Sequence, residues 1–188
     1  MSKKNRLRKK FFIHRKKKYF DIEPSFFNPI SKIIKKKFRN RKVNLSSYIP
    51  SSYEVNVSKL FETNLVKYFK IFLPVVSGNR NMNFFEWKKN DILRINKYGI
   101  LEPFQLSKKI IPDVMLVPLL AYDNQNYRLG YGGGFYDKFL NKYLKTNNKI
   151  LTIGVAFSFQ KYNKLPINRN DVKLDFILTE KGIFWWTY

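Results

Sequence analysis

The run Val114 to Ala121, eight residues with no polar side chain, constrains this chain more than any other feature in it. A strand open to solvent on one face alternates apolar and polar residues, whereas an unbroken apolar run belongs to a strand covered on both faces, as in the middle of a parallel sheet. At eight residues it is less than half of what a membrane-crossing helix needs. A second apolar stretch, residues 150–157, follows after a glycine cluster at 130–134 and a helical spacing over 134–145. Strand, helix, strand with buried strands predicts an α/β protein with a mainly parallel central sheet flanked by helices.

The remaining elements fit this frame. Residues 3–19 read as a basic helix. Residues 25–38 read as a second, with Phe26, Phe27, Ile30, Ile33, Ile34 and Phe38 at near-helical spacing. Residues 43–49 alternate like a strand and stop at Pro50, 57–68 look helical, and 70–76 form a buried strand ending in a Ser-Gly-Asn turn. Short strands near 83–87 and 92–96 are expected to form a hairpin around Lys89-Asn90-Asp91, and 175–185 is expected to be the last strand. With no internal repeat and no Pro-, Gly- or Ser-rich linker, residues 1–188 are expected to form a single domain, its first 42 residues helical and strongly basic.

Composition removes whole classes of chemistry. The chain has no cysteine and one histidine, His14, which lies in a Lys/Arg run. Thiol nucleophiles, zinc ribbons and multi-histidine metal sites are excluded, and a Ser-His-Asp triad is improbable. No apolar segment of a secretory signal is visible at the start, so a cytoplasmic protein is expected. There are 37 Lys and Arg against 13 Asp and Glu, a formal charge of +24. Residues 1–42 alone hold seventeen basic residues against Asp21 and Glu23. Such runs are usually solvated helix faces. The alternative is a polyanion-binding surface, and Phe11, Phe12, Tyr19 and Phe20 among the basic residues make nucleic acid the second candidate partner.

The informative stretch is Arg128-Leu129-Gly130-Tyr131-Gly132-Gly133-Gly134-Phe135-Tyr136-Asp137. Glycines let backbone amides approach a ligand without a Cβ in the way. A helix N-terminus at the carboxyl edge of a parallel sheet is where α/β proteins receive anions. Arg128 could grip a phosphate bidentately, and Asp137 could supply a carboxylate to magnesium. No Gly-Lys-Ser/Thr follows, so this is not a Walker A loop, and the spacing is not the dinucleotide G-x-G-x-x-G either.

At these residues the chain resembles the 5-formyltetrahydrofolate cyclo-ligase family, also called methenyltetrahydrofolate synthetases. That family carries Arg-Leu-Gly-x-Gly-x-Gly-Tyr-Tyr-Asp here. Val117-Pro118 to Asp123 precedes the loop as in the family, and Ile153-Gly154-Val155-Ala156-Phe157, Gln160, Leu165-Pro166, Asn170-Asp171-Val172 and Thr179-Glu180-Lys181-Gly182-Ile183 follow in family order. Upstream, Lys4-Asn5-Arg6-Leu7-Arg8, Glu54-Val55-Asn56 and Gly99-Ile100-Leu101-Glu102-Pro103 resemble further family elements. The chain departs from the pattern at Phe135, where the family usually has Tyr, and at Val57, where it has Thr.

The resemblance implies a three-layer α/β fold of the coenzyme A transferase-like type. It also implies a reaction in which ATP and 5-formyltetrahydrofolate give 5,10-methenyltetrahydrofolate, ADP and phosphate, with magnesium as the metal. Lys4, Arg8 and the loop residues Arg128, Leu129, Gly130, Tyr131, Gly132, Gly133, Gly134, Phe135 and Tyr136 would hold ATP, with Arg128 and Tyr136 taking part in catalysis. Ile49, Glu54 and Tyr131 to Phe135 would line the folate side, and Asp137 and Asp171 would hold magnesium. ATP and the folate are the expected partners of a monomer that does not bind membranes. Asp137→Asn and Asp171→Asn are both expected to suppress turnover while leaving folding nearly intact. Lys16, Lys17, Lys35 and Lys36 are expected to be screened surface charges.

Overall fold

The computed structural model of the chain describes residues 1–39, 41–144 and 149–185. Its central sheet runs in the order β11-β10-β9-β6-β1-β2-β3. These strands are β1 (Val43–Ser46), β2 (Phe69–Ser77), β3 (Asn81–Glu86), β6 (Val114–Pro118), β9 (Leu151–Val155), β10 (Phe176–Thr179) and β11 (Gly182–Trp185). The five inner strands pair in parallel, and the two edges, β3 on β2 and β11 on β10, are antiparallel. β6 sits in the middle, with four of its five residues buried. Its alternate residues face opposite sides, as the strand period requires. Val114 and Leu116 join one core cluster, Met115 and Val117 the other.

Each face is covered by a helix whose apolar residues are spaced to meet it. Helix α2 (Asn28–Phe38) buries Ile30, Ile34 and Phe38, one every four residues, on the first face. Helix α3 (Phe135–Leu144) buries Phe139 and Leu140 on the second. Helix α1 (Lys3–Lys18) joins neither of these clusters. Its Leu7 and Phe11 pack with Leu120, Ala121, Leu129 and Leu165, so it lies just beyond the carboxyl end of β6. Ala121 and Leu129 belong to a small hairpin of β7 (Ala121–Tyr122) and β8 (Arg128–Leu129) that leads into the glycine loop.

Three expected elements take a different form. Residues 57–68 are two 3₁₀ segments, Val57–Glu62 and Asn64–Tyr68, broken at Thr63. The Asn56 side chain caps the Ser58 amide, and the Thr63 hydroxyl both caps the Leu65 amide and donates to Leu60 O. Such local bonds compete with helix propagation. The hairpin expected around Lys89-Asn90-Asp91 does not form. β3 instead returns directly on β2 through Gly78–Arg80, where Asn79 and Arg80 both adopt left-handed φ, and six residue pairs are satisfied there. β4 (Leu93–Ile95) pairs with β5 (Leu101–Pro103) as a separate ribbon, its turn held by the Asn96 side chain on the Tyr98 and Ile100 amides. The single last strand is a hairpin, because the Thr179 hydroxyl accepts from the Lys181 amide and Gly182 turns at φ 115°. The helix expected to end at 145 is described to Leu144, its expected last residue lying outside the described residues.

Close packing at Gly154 on β9 yields a stability prediction. A Cβ there would lie 2.7 Å from the Ile177 side chain, 2.8 Å from Leu174 and 2.9 Å from Leu119. All three neighbours are buried in the core, so relief for one crowds another. Gly154→Ala is expected to cost about 1–3 kcal/mol by overpacking. Thermal melting reads the loss, and turnover well below the midpoint is expected to survive.

Candidate active site

The glycine loop leaves β8 at the carboxyl side of the sheet and enters α3. Arg8 on α1 donates from Nε to Gly130 O at 2.9 Å. Gly132 adopts φ 109°, and a Cβ there would lie 3.4 Å from the Arg8 guanidinium carbon. A side chain at Gly132 would be strained and would press on a cation aimed at the loop. Lys4, one turn before Arg8 on the same helix face, pairs with Asp171. Thus α1 places two cations where the loop turns. Arg80, from the turn before β3, lies beside Gly134, 3.9 Å from where its Cβ would be.

Arg128 is buried, and its terminal nitrogens are already engaged. Nη1 donates to Val172 O at 3.1 Å and Nη2 to Asp137 Oδ1 at 2.7 Å. The bidentate phosphate grip expected from the sequence therefore has competitors in this arrangement, and the guanidinium instead orients Asp137. Asp137 Oδ1 also accepts from the Val172 amide at 3.1 Å, which brings the first turn of α3 against the residue that follows Asp171. Asp171 Oδ2 accepts from Lys4 and from the Asn168 amide at 2.6 Å. These bonds use Oδ1 of Asp137 and Oδ2 of Asp171. Among the described residues no three His, Cys, Asp or Glu side chains cluster to hold a metal by themselves. Two neighbouring carboxylates are nonetheless a fitting partial donor set for magnesium, which takes one or two carboxylates and completes its shell with substrate phosphates and water.

Glu54 lies on the other side of the loop. It is 7% exposed, in the wall of a cleft of about 390 Å³ lined by Tyr19, Pro50, Ser51, Tyr53 and Asn56. Oε2 accepts from the Ser51 amide at 2.9 Å and Oε1 from the Tyr131 hydroxyl. Burial pushes the Glu54 carboxyl up, against the lowering effect of those hydrogen bonds and of the Arg15 charge. Burial raises the phenols of Tyr48, Tyr131 and Tyr136 as well, and the nearby Glu54 charge raises them further. All three hydroxyls are held protonated, and those of Tyr48 and Tyr131 donate, to Val55 O and to Glu54. The Tyr131 ring is half-exposed at the loop surface while its hydroxyl points back to Glu54. Ile49 is half-buried against the first core cluster, and Phe135 meets the Tyr98 ring at 5.6 Å between centroids.

The structure thus gathers Lys4, Arg8, the glycine loop, Asp137 and Asp171 in one place, and Glu54 next to it through Tyr131. Two neighbours of the site escaped the sequence reading, Arg80 and Arg15. Arg80 comes from a turn with no motif. Lys16 is exposed, as expected of a surface charge, and lies 5.9 Å over the Tyr53 ring at the cleft. Arg15 is buried between the two halves, and a signal for it existed, since it continues the buried spacing of Leu7 and Phe11 by four residues. Of the aromatics interleaved with the basic run, Phe11 is core, while Phe12 and Phe20 are exposed.

A mainly parallel α/β sheet with a glycine loop flanked by Lys4, Arg8 and Arg80 at its carboxyl edge, and a cleft walled by Glu54 beside it, is the arrangement in which α/β proteins place anion sites. Comparison with known proteins gives the particular family. The model of the 5-formyltetrahydrofolate cyclo-ligase family matches residues 1–180. The 5-formyltetrahydrofolate cyclo-ligase of Haemophilus influenzae is 28% identical over 141 residues, covering 72% of this chain and 74% of its own. That of Mycoplasma genitalium is 31% identical over 140 residues, covering 72% and 71%. The solution structure of Aquifex aeolicus 5,10-methenyltetrahydrofolate synthetase superposes with a TM-score of 0.74 at 28% identity, over 98% of this chain and 93% of that one. The chain belongs to the 5-formyltetrahydrofolate cyclo-ligase family and is an enzyme of that class. No helix among the described residues is long and apolar enough to cross a membrane.

Proposed function

We propose that this enzyme closes 5-formyltetrahydrofolate to 5,10-methenyltetrahydrofolate at the expense of ATP, with magnesium bound at Asp137 and Asp171. The observation that carries it is the hydrogen bond from Tyr131 to Glu54, which joins the cleft to the phosphate loop within one residue. Lys4, Arg8 and the amides of the loop receive the nucleotide phosphates. Glu54 accepts from the amino groups of the pterin, and Ile49 and the Tyr131 ring supply apolar surface to the ring system. The formyl oxygen is then held in line with the terminal phosphoryl group. Its lone pair forms the new O–P bond as the bond to ADP breaks. The amine at position 10 attacks the activated carbon, loses its proton, and the C–O bond breaks to release phosphate carrying the former formyl oxygen. Magnesium, when bound, neutralises charge on the transferring phosphoryl group. The chain itself contributes position and fixed positive charge, which such a transfer needs more than a protein nucleophile.

Arg128 serves in this scheme by holding Asp137, and Tyr136 by keeping a protonated hydroxyl close to Glu54. The chain acts as one domain and one monomer in this scheme, because residues from α1, the segment after β1, the glycine loop and the Asp171 loop of a single chain meet at the site. The test is purified protein with ATP, magnesium and 5-formyltetrahydrofolate, following the near-ultraviolet band of the methenyl product together with released phosphate. Equal amounts of both products are expected. Phosphate release without the band, or no reaction at all, would overturn the proposal.

A further inference from the structure

Arg15 is the largest fully buried side chain of α1, 1% exposed, and no carboxylate lies within ion-pair distance of it among the described residues. Its Nη1 donates to Leu119 O at 3.1 Å, its Nη2 to Ser52 O at 2.7 Å, and its Nε is buried without a partner. A guanidinium enclosed this way is costly, and an apolar residue would continue the Leu7–Phe11 stripe without that cost. Its position suggests what it is kept for. The Ser52 carbonyl belongs to a tight turn closed by the bond from the Glu54 amide to Ser51 O at 2.9 Å. Both central residues of that turn, Ser52 at φ 49° and Tyr53 at φ 65°, are left-handed without being glycine. Such turns usually carry Asn-Gly, and two non-glycine residues there persist only where the surroundings hold them. The surroundings here are α1 and the residue after it. Arg15 grips Ser52 O, Lys16 lies over the Tyr53 ring, and Tyr19 meets that ring at 5.9 Å. The Arg15 guanidinium also lies 5.4 Å over the ring of Tyr131, whose hydroxyl bonds Glu54.

We propose that Arg15 is a positioning residue for folate recognition: its planar fork clamps the Ser52 turn and backs the Tyr131 ring, so that the Glu54 carboxyl is held in place at the cleft. This rests on Glu54 being the acceptor for the pterin amino groups. Arg15 acts only through its neighbours and does not itself touch the substrate. Glu54 is faced by Ser51 from its own turn, Tyr48 beyond β1, Tyr131 from the glycine loop, Tyr136 from α3 and Arg15 from α1. Arg15 is the cation among them, so its loss removes the charge that favours the Glu54 carboxylate. A carboxylate gives two acceptors to a pair of amino N–H groups, whereas its protonated form gives up one of them. Folate affinity therefore falls as pH drops through the Glu54 pKa, and removing Arg15 moves that fall to higher pH.

The experiment is calorimetric titration with 5-formyltetrahydrofolate from weakly acid to weakly alkaline pH, with the KM for magnesium-ATP measured alongside, on the full chain and on Arg15→Met, Arg15→Lys and Glu54→Gln. Arg15→Met is expected to weaken folate binding by roughly tenfold or more at neutral pH. Its acid limb should lie at higher pH, and its KM for ATP should change far less than its folate affinity, because the Arg15 bonds go to Leu119 O and Ser52 O and not to Lys4, Arg8 or a loop amide. Arg15→Lys keeps the charge but cannot fork onto two carbonyls. Its acid limb should stay in place while folate affinity falls to an intermediate level. A folded Arg15→Met with parental affinity and an unmoved limb overturns the proposal, as does an equal loss of folate and ATP. If Arg15→Met does not fold, Arg15→Lys decides, because parental folate affinity in that variant removes the clamp. Unchanged folate affinity in Glu54→Gln would instead overturn the pterin assignment itself, independently of Arg15.

Discussion

Asp137→Asn and Asp171→Asn are expected to cut magnesium-dependent turnover on the order of a hundredfold each, the scale of losing one preorganised electrostatic contact in a transition state. They are expected to differ sharply in stability. Asp137 accepts from Arg128 and from the Val172 amide through the same oxygen, and the Arg128 side chain is 4% exposed. Neutralising Asp137 takes the counter-charge from that enclosed guanidinium and leaves it two neutral acceptors, the Val172 carbonyl and the amide oxygen, a loss of about 1–2 kcal/mol in going from a charge-assisted to a neutral bond. For a chain of this size each kcal/mol moves the midpoint by roughly 2–4 °C, so Asp137→Asn should melt several degrees below the parent. The sequence alone suggested that both variants would fold normally. Asp171 fits that expectation better, since its partner Lys4 sits on a flexible stem near the surface and can turn to water. Turnover over a magnesium titration, paired with scanning calorimetry, separates the two effects. If Asp171→Asn keeps full turnover at ordinary magnesium, Asp171 is not a metal ligand.

The contrast between these two aspartates shows where sequence was informative. β6 and β9 were legible because continuous apolar runs have one cheap home, the middle of a covered sheet. α2 was legible because Ile30, Ile34 and Phe38 repeat at the helical period. The glycine loop was legible because four glycines, an arginine and an aspartate in ten residues are hard to place elsewhere. What could not be read was pairing. Whether Asn81–Glu86 folds back on β2 or forward onto residues 92–96 is decided by two left-handed residues, Asn79 and Arg80, that are not glycine. The engagement of Arg128 by Val172 and Asp137 joins residues 44 and nine positions away. No local period reports either contact. Arg15 was hidden for a different reason: charge argues for the surface, and only its fourfold spacing from Leu7 and Phe11 argued for the interior.

Glu54→Gln is expected to raise the requirement for 5-formyltetrahydrofolate by roughly tenfold to a hundredfold, the equivalent of about 1.5–3 kcal/mol for a hydrogen bond to a charged group. The requirement for ATP should barely move, because the phosphate loop keeps Arg8 and its own amides. The same substitution is expected to raise stability at neutral pH. Burial lifts the Glu54 carboxyl above its ordinary value of 4.5, so the folded protein binds that proton more tightly than the unfolded chain does. The sign follows from linkage. Where the folded state holds more protons, stability falls as pH rises from the unfolded pKa through the folded one. Above that window the ionised, buried carboxylate is a standing cost that a glutamine does not carry, while the Tyr131 hydroxyl can still bond the amide. Melting temperatures of the two proteins should therefore converge toward pH 4 and separate at neutral pH, with Glu54→Gln the higher. A variant that melts lower at neutral pH and loses folate and ATP equally would show instead that Glu54 is there to hold the Ser51–Glu54 turn, with the pterin acceptor to be sought elsewhere in the cleft.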